Sequence, residues 1–262
     1  MVFILKFCGG AEAARWEQND RHFLEKEIIE NIPGATIRYF NANSKKGLQE
    51  KQADLALKGG SCILIVVPVD GQEGINIVKK AKNEGVPVIA YDRLIKDNDL
   101  RFYISFDSQK VGELQAKYAI DELNKGQTGI YKLNPRANLV MINGDIKDPN
   151  TKAIEKGWFL RLETFFKNQK LNLMFPSGSG DTEYFIDNWD AEKAAQKVQE
   201  LLNKYQDDIQ IILVANNGMA NKIIGVLGEK IGKILITGQD GSAQSARNIV
   251  KDYQGITRNN NV

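Results

Sequence analysis

Apolar residues along this chain fall into two patterns that take turns. Short, nearly continuous runs rich in Val and Ile occur at Val2 to Phe7, Thr36 to Asn41, Cys62 to Val69, Val86 to Tyr91, Phe102 to Phe106, Leu139 to Asn143, Leu171 to Phe175, Ile209 to Ala215 and Ile234 to Gly238. Runs of this length and β-branched content predict strands, and one such as Cys-Ile-Leu-Ile-Val-Val-Pro-Val suits a strand covered on both faces. Between most of them apolar positions return at helical spacing: Ala13 to Asn31, Gly47 to Lys58, Gly74 to Asn83, Ser108 to Leu123, Lys152 to Phe166, Ala191 to Tyr205, Gly218 to Glu229 and Ala243 to Lys251. Strand and helix in alternation predict parallel βαβ units with right-handed crossovers, and therefore an α/β fold of doubly wound parallel sheets.

One stretch breaks the rhythm. Val86 to Tyr91 and Phe102 to Phe106 follow one another with no helical pattern between them. The break predicts passage from one α/β lobe to another. The first lobe would comprise residues 1–103, to which a C-terminal segment would add, and the second residues 104–262, with a hinge near 101–107. In open α/β sheets ligands bind beyond the carboxyl ends of the strands, so the residues there are the candidates for function.

Those residues form a chemically coherent set. Arg15 and Trp16 follow the first strand and its Gly9-Gly10 turn; Asp92 and Arg93 follow the fourth; Asp148 and Asn150 follow Leu139 to Asn143. Trp189 lies in Asp-Asn-Trp-Asp at the start of a helical pattern, Asn216 ends the strand Ile209 to Ala215, and Asp240 follows Ile-Leu-Ile-Thr-Gly-Gln. A sugar presents hydroxyls that both donate and accept, matched by carboxylates, amides and guanidinium groups, and apolar faces that an indole can cover. Each residue also has a plainer reading. An Asp or Asn after a strand is commonly a helix N-cap or turn residue, and either Trp can be core.

Composition narrows the classes. Lys plus Arg number 35 against 33 Asp plus Glu, a net charge of +2, without the basic excess expected of a nucleic-acid binder. No apolar run approaches the roughly 20 residues that span a bilayer. Met1 leads straight into a strand pattern, so the leader of an exported protein would lie outside this sequence. Cys8 and Cys62 lack metal-ligand spacing and read as small core residues on or at the end of buried strands, and His22 reads as a helix surface residue. No phosphate-binding Gly-x-x-x-x-Gly-Lys motif and no Gly-x-Ser-x-Gly elbow is present. Ser177-Gly-Ser-Gly-Asp181 reads as a loop. Asp92 and Asp148 would serve a glycosidase as paired carboxylates, but Arg93 beside Asp92 would hold it ionised, which suits an acceptor better than a general acid. The reading is of a binding protein, not an enzyme, with neither metal nor cofactor.

The segments Val-Pro-Val-Ile-Ala-Tyr-Asp-Arg (86–93), Phe-Tyr-Ile-Ser-Phe-Asp (102–107), Lys-Val-Gly-Glu-Leu-Gln-Ala-Lys (110–117) and Gly-Gln-Asp (238–240), with Arg15-Trp16 and Asn-Trp-Asp-Ala-Glu-Lys-Ala from Asn188, resemble the D-xylose-binding proteins of bacterial ABC importers, in the type I periplasmic sugar-binding superfamily. The resemblance implies that Arg15, Asp92, Arg93, Asp148, Asn150, Asn216 and Asp240 hydrogen-bond a pyranose while Trp16 and Trp189 pack on its ring. It implies an extracytoplasmic protein, in the periplasm or lipid-anchored on the outer face of the membrane, monomeric when free, closing about hinges near Arg101 to Asp107 and Ser242. The expected partner is an ABC permease or a membrane sensor protein. The effector core of a sugar-responsive repressor is a third reading, disfavoured by a strand that begins at residue 2. The sequence departs from the family at Cys8-Gly9-Gly10-Ala11-Glu12, at Pro149, in the insert 126–136 and at Asn260, which falls near a site Lys. The family pattern also continues past Val262, so the first lobe is expected to be incomplete.

Overall fold

The computed structural model describes residues 2–6, 19–43, 45, 47–174 and 184–255. The chain divides into two compact units, Met1–Phe106 and Asp107–Val262.

The first unit is a parallel sheet of β1 (Val2–Lys6), β2 (Ile37–Asn41), β3 (Ile63–Val66), β4 (Val88–Tyr91) and β5 (Phe102–Ile104) in the order β2-β1-β3-β4-β5. Its helices are α1 (Arg21–Asn31), α2 (Leu48–Lys58) and α3 (Gly71–Asn83). The unbroken apolar run of β3 has the cause its sequence suggests. Leu64 and Val66 pack with Ala53 and Ala56 of α2 and Ile77, Val78 and Ala81 of α3, while Ile63 and Ile65 meet Leu24 and Ile28 of α1 on the other face. Asp70 starts α3 by accepting the Glu73 N–H at 2.9 Å, ahead of the first apolar position from which the pattern marks the helix.

Parallel neighbours normally need a helical crossover, yet β4 and β5 are joined by residues 92–101 alone. Ile95 plugs that crossover. It is buried against Gly74, where a Cβ would come 2.9 Å from Ile95 Cγ1. Phe102, Tyr103 and Ile104 of β5 are exposed. His22 is exposed on α1. Cys62, expected as a small core residue on or at the end of a strand, does adjoin β3 but is exposed, one residue before the strand begins. The strand is shorter than its apolar run, so Cys62 falls in the bend that enters it. Cys8 lies outside the described residues.

The second unit is a parallel sheet of β6 (Ala137–Ile142), β7 (Leu171–Leu173), β8 (Ile211–Val214) and β9 (Leu235–Ile236), in the order β7-β6-β8-β9. It carries helices α4 (Ser108–Lys125), α5 (Pro149–Lys167), α6 (Ala191–Tyr205), α7 (Asn217–Val226) and α8 (Ala243–Val250). All of β8 is buried. Helices α4 and α5 touch backbone to backbone: a Cβ on Gly112 would overlap the Ile154 carbonyl, and one on Gly157 the Gln109 carbonyl. The insert at 126–136 folds back on α4, where the buried Glu122 accepts from Lys125 Nζ at 2.6 Å and from the Ile130 N–H at 3.1 Å.

Candidate functional site

In the first unit, Asp92 and Arg93 leave the carboxyl end of β4. Asp92 holds a left-handed backbone, φ 64°, a conformation a non-glycine residue keeps only when its surroundings enforce it. Here the neighbouring strand does so. The Asp92 N–H donates to Ile104 O at 2.7 Å, and Asp92 O accepts from Ser105 Oγ at 2.7 Å and Tyr103 Oη at 3.1 Å. The Arg93 N–H donates to Tyr91 O at 2.8 Å. Arg15, Trp16, Asn260 and the loop Ser177 to Asp181 lie outside the described residues.

The second unit brings Asp148, Asn150 and Trp189 into one cluster. Because β6 and β8 are neighbours whose chains leave to opposite sides, the carboxyl ends of these strands flank the switch point of the sheet. Past β6, Asp148 caps α5: Oδ1 accepts the Asn150 N–H at 2.9 Å, and Pro149 occupies the first helical position, where a missing N–H does no harm. Oδ2 of the same carboxylate accepts from Trp189 Nε1 at 3.1 Å. Asn150 Oδ1 accepts from Ser108 Oγ at 3.1 Å, tying the start of α5 to the start of α4.

Trp189 is anchored from several sides. Residue Phe185 bridges to Asn143, and the Ile186 N–H donates to Asn143 O and Gly144 O at 3.1 Å each. A 3-10 turn, Asp187–Trp189, follows, with Asn188 and Trp189 at φ 54° and 55°. The indole lies directly on Gly144, where any Cβ would penetrate the ring. Trp189 thus stands in a strained turn just ahead of α6, whose start at Ala191 the helical pattern marks.

Asn216 and Asp240 end the next two strands. Asn216 is buried and caps α7, its Oδ1 accepting the Met219 N–H at 3.0 Å. Asp240 also has a left-handed backbone, φ 95°, beside a tightly packed Gly238 whose neighbours Asn217 Oδ1 and Gln254 Nε2 are themselves 2.8 Å apart. The plain capping roles are thus realised at Asp148 and Asn216, but a carboxylate or amide oxygen keeps a second lone pair while it caps. Sequence reasoning passed over Asp145, a buried carboxylate that accepts from the Lys147 N–H and the Asn188 N–H, both at 2.8 Å. Its Asx turn, Asp followed two residues on by the bonded N–H, was the available signal. Among the described residues no group of three His, Cys, Asp or Glu could hold a metal ion, and no helix is long and apolar enough to cross a membrane.

Residues 9–261 match the family model described as periplasmic binding protein domain. The D-xylose-binding periplasmic protein of Haemophilus influenzae is 31% identical over 245 residues, 93% of this chain and 68% of that protein. The chain belongs to the type I periplasmic sugar-binding family. Solved structures share the family's fold at lower identity. An ABC transporter solute-binding protein from Clostridium phytofermentans with bound β-D-glucose superposes with a TM-score of 0.82 at 22% identity, over 97% of this chain and 77% of that one. The fructose-binding periplasmic domain of a hybrid two-component system reaches 0.75 at 16% identity, over 97% and 78%.

Proposed function

We propose that this family member captures a monosaccharide outside the cytoplasm, D-xylose in preference to other aldoses, and delivers it unchanged to an ABC importer. The observation that carries the reading is the indole of Trp189, fixed through its ring nitrogen to Asp148 at a carboxyl edge that also carries Asn150, Asn216 and Asp240. An aromatic face beside carboxylate and amide groups matches the two surfaces of a pyranose. Asp92, Arg93, Arg15 and Trp16 would supply the grip from the first unit. Contacts made only in the closed form would drive closure, with residues near Arg101 to Asp107 and Ser242 absorbing the rotation. The name of the Haemophilus relative favours xylose, whereas the glucose of the Clostridium protein marks the competing aldose. The protein would be held in the periplasm or by a lipid anchor.

A second reading has one observation in its favour, the fold shared with a periplasmic domain of a two-component system: the closed form would dock on a membrane sensor, and the sugar site would be the same. A thermal-shift panel of xylose, glucose, arabinose and ribose tests the common part, because a ligand raises melting only by binding the folded form, by about 2.7 kcal/mol at a hundredfold excess over Kd. Xylose should give the largest rise; a panel with no rise defeats the reading. Pull-down on an importer permease against a sensor domain separates the two partners.

A further inference from the structure

Asp145 is 9% exposed and spends both carboxylate oxygens on backbone: Oδ1 on the Lys147 N–H and Oδ2 on the Asn188 N–H, each at 2.8 Å. The second bond reaches across to the turn that carries Trp189. That turn holds two successive non-glycine residues in the left-handed region, Asn188 and Trp189, which a chain does not keep without external bonds. The Trp189 N–H is satisfied within the turn by Ile186 O at 3.1 Å, so the bond that ties Asn188 to the β6 loop is Asp145's. The indole itself is 7% exposed, packed against Gly144 with its nitrogen on Asp148, so a shift of the turn carries the ring with it.

We infer that Asp145 is a positioning residue for sugar binding: without touching the ligand, it holds the Asn188–Trp189 turn so that the indole stands in one orientation. The inference rests on the reading that Trp189 packs against the sugar. A carboxylate suits the role because it accepts twice and donates nothing. The two N–H donors meet different oxygens, and an asparagine of the same shape puts an amide NH2 where one of those oxygens stood. The two donors face one acceptor and the turn is released.

The test uses the full chain labelled with 5-fluorotryptophan, the Trp189 resonance being the one lost in Trp189→Phe. Asp145→Asn should shift or broaden that fluorine signal, leave the Trp158 signal in place, and weaken D-xylose binding by about tenfold in titration calorimetry. An unmoved Trp189 signal overturns the inference whatever the affinity does, and so does a moved signal with affinity unchanged. Should Asp145→Asn alone fail to fold, the same readings are taken with Asn188→Gly added, which relieves the left-handed strain but still leaves the turn without its tie, so the fluorine signal is again expected to move. If Trp189→Phe itself leaves xylose affinity intact, the sugar-stacking reading falls, and the fluorine signal still reports whether Asp145 orients the ring.

Discussion

Trp158 Nε1 donates to Gln115 Oε1 at 2.7 Å, with both side chains wholly buried, and Gln115 Nε2 in turn donates to Val214 O at 3.0 Å. One amide thereby joins α5, α4 and the last residue of β8, two positions before Asn216. Trp158→Phe removes the donor, strands a buried acceptor and leaves a gap, at a combined cost of about 2–4 kcal/mol. Urea unfolding measures it, and an unchanged midpoint would show that Gln115 finds another partner.

The contact of α4 with α5 predicts a steep asymmetry between glycines. Gly112→Ala drives a methyl into the Ile154 carbonyl and should lower stability by about 3 kcal/mol, at the upper end for overpacking. Gly225→Ala, in α7 with nothing within 4 Å, should raise it by roughly 0.5–1 kcal/mol through helix propensity. Melting temperatures of the two variants should move in opposite directions.

Alkaline pH should loosen the fold through its phenols. Burial pushes Tyr39 up to about 12, with Glu25 adding to the rise and Arg21 opposing it. Burial first, and then Tyr118, also raise Tyr131, and burial raises Tyr118. A folded-state value above the unfolded one favours the neutral phenol in the native state. That contribution is complete below about pH 10, where unfolded tyrosine begins to ionise, and is lost as pH climbs toward about 12. Urea midpoints measured across this window should fall, and Tyr131→Phe should flatten the decline.

Binding should separate the two units' contributions. Asp92→Ala removes a carboxylate that the sugar reading pairs with hydroxyls and should cost about 1–3 kcal/mol of xylose affinity. Asp148→Asn should also weaken binding, because the Asn150 N–H and the Trp189 nitrogen meet different oxygens of the carboxylate and an amide NH2 would replace one of them. Calorimetry in which Asp92→Ala and Trp189→Ala bind like the parent would remove the site assignment.

The elements were legible because their period is a direct image of burial: the run Ile63 to Val66 is continuous since both sheet faces are covered, and the α6 stripe of Ala194, Val198, Leu201 and Leu202 is a single buried face. Two helix starts were not: the apolar spacing opens at Gly74 and Lys152, one turn late, while the true boundaries at Gly71 and Pro149 are written in the caps Asp70 and Asp148. Cys62 misled because an apolar run outlasts the paired strand. At the site, residue type suggested who stands at strand ends, but not the cross-chain bonds. Asp145 to Asn188 spans 43 residues and Gln115 to Val214 spans 99, and nothing local in either segment announces its partner.

The single polar atom of the Trp189 ring is already committed to a carboxylate. On the reading that a sugar packs against that ring, it would meet carbon and π electrons alone, so the indole would sense a hydroxyl's configuration only through the hydrocarbon face it leaves. The hydroxyls themselves would then be read by the oxygens and amides around it, and a purely hydrocarbon aromatic of equal span in its place would keep that platform while setting the Asp148 oxygen free.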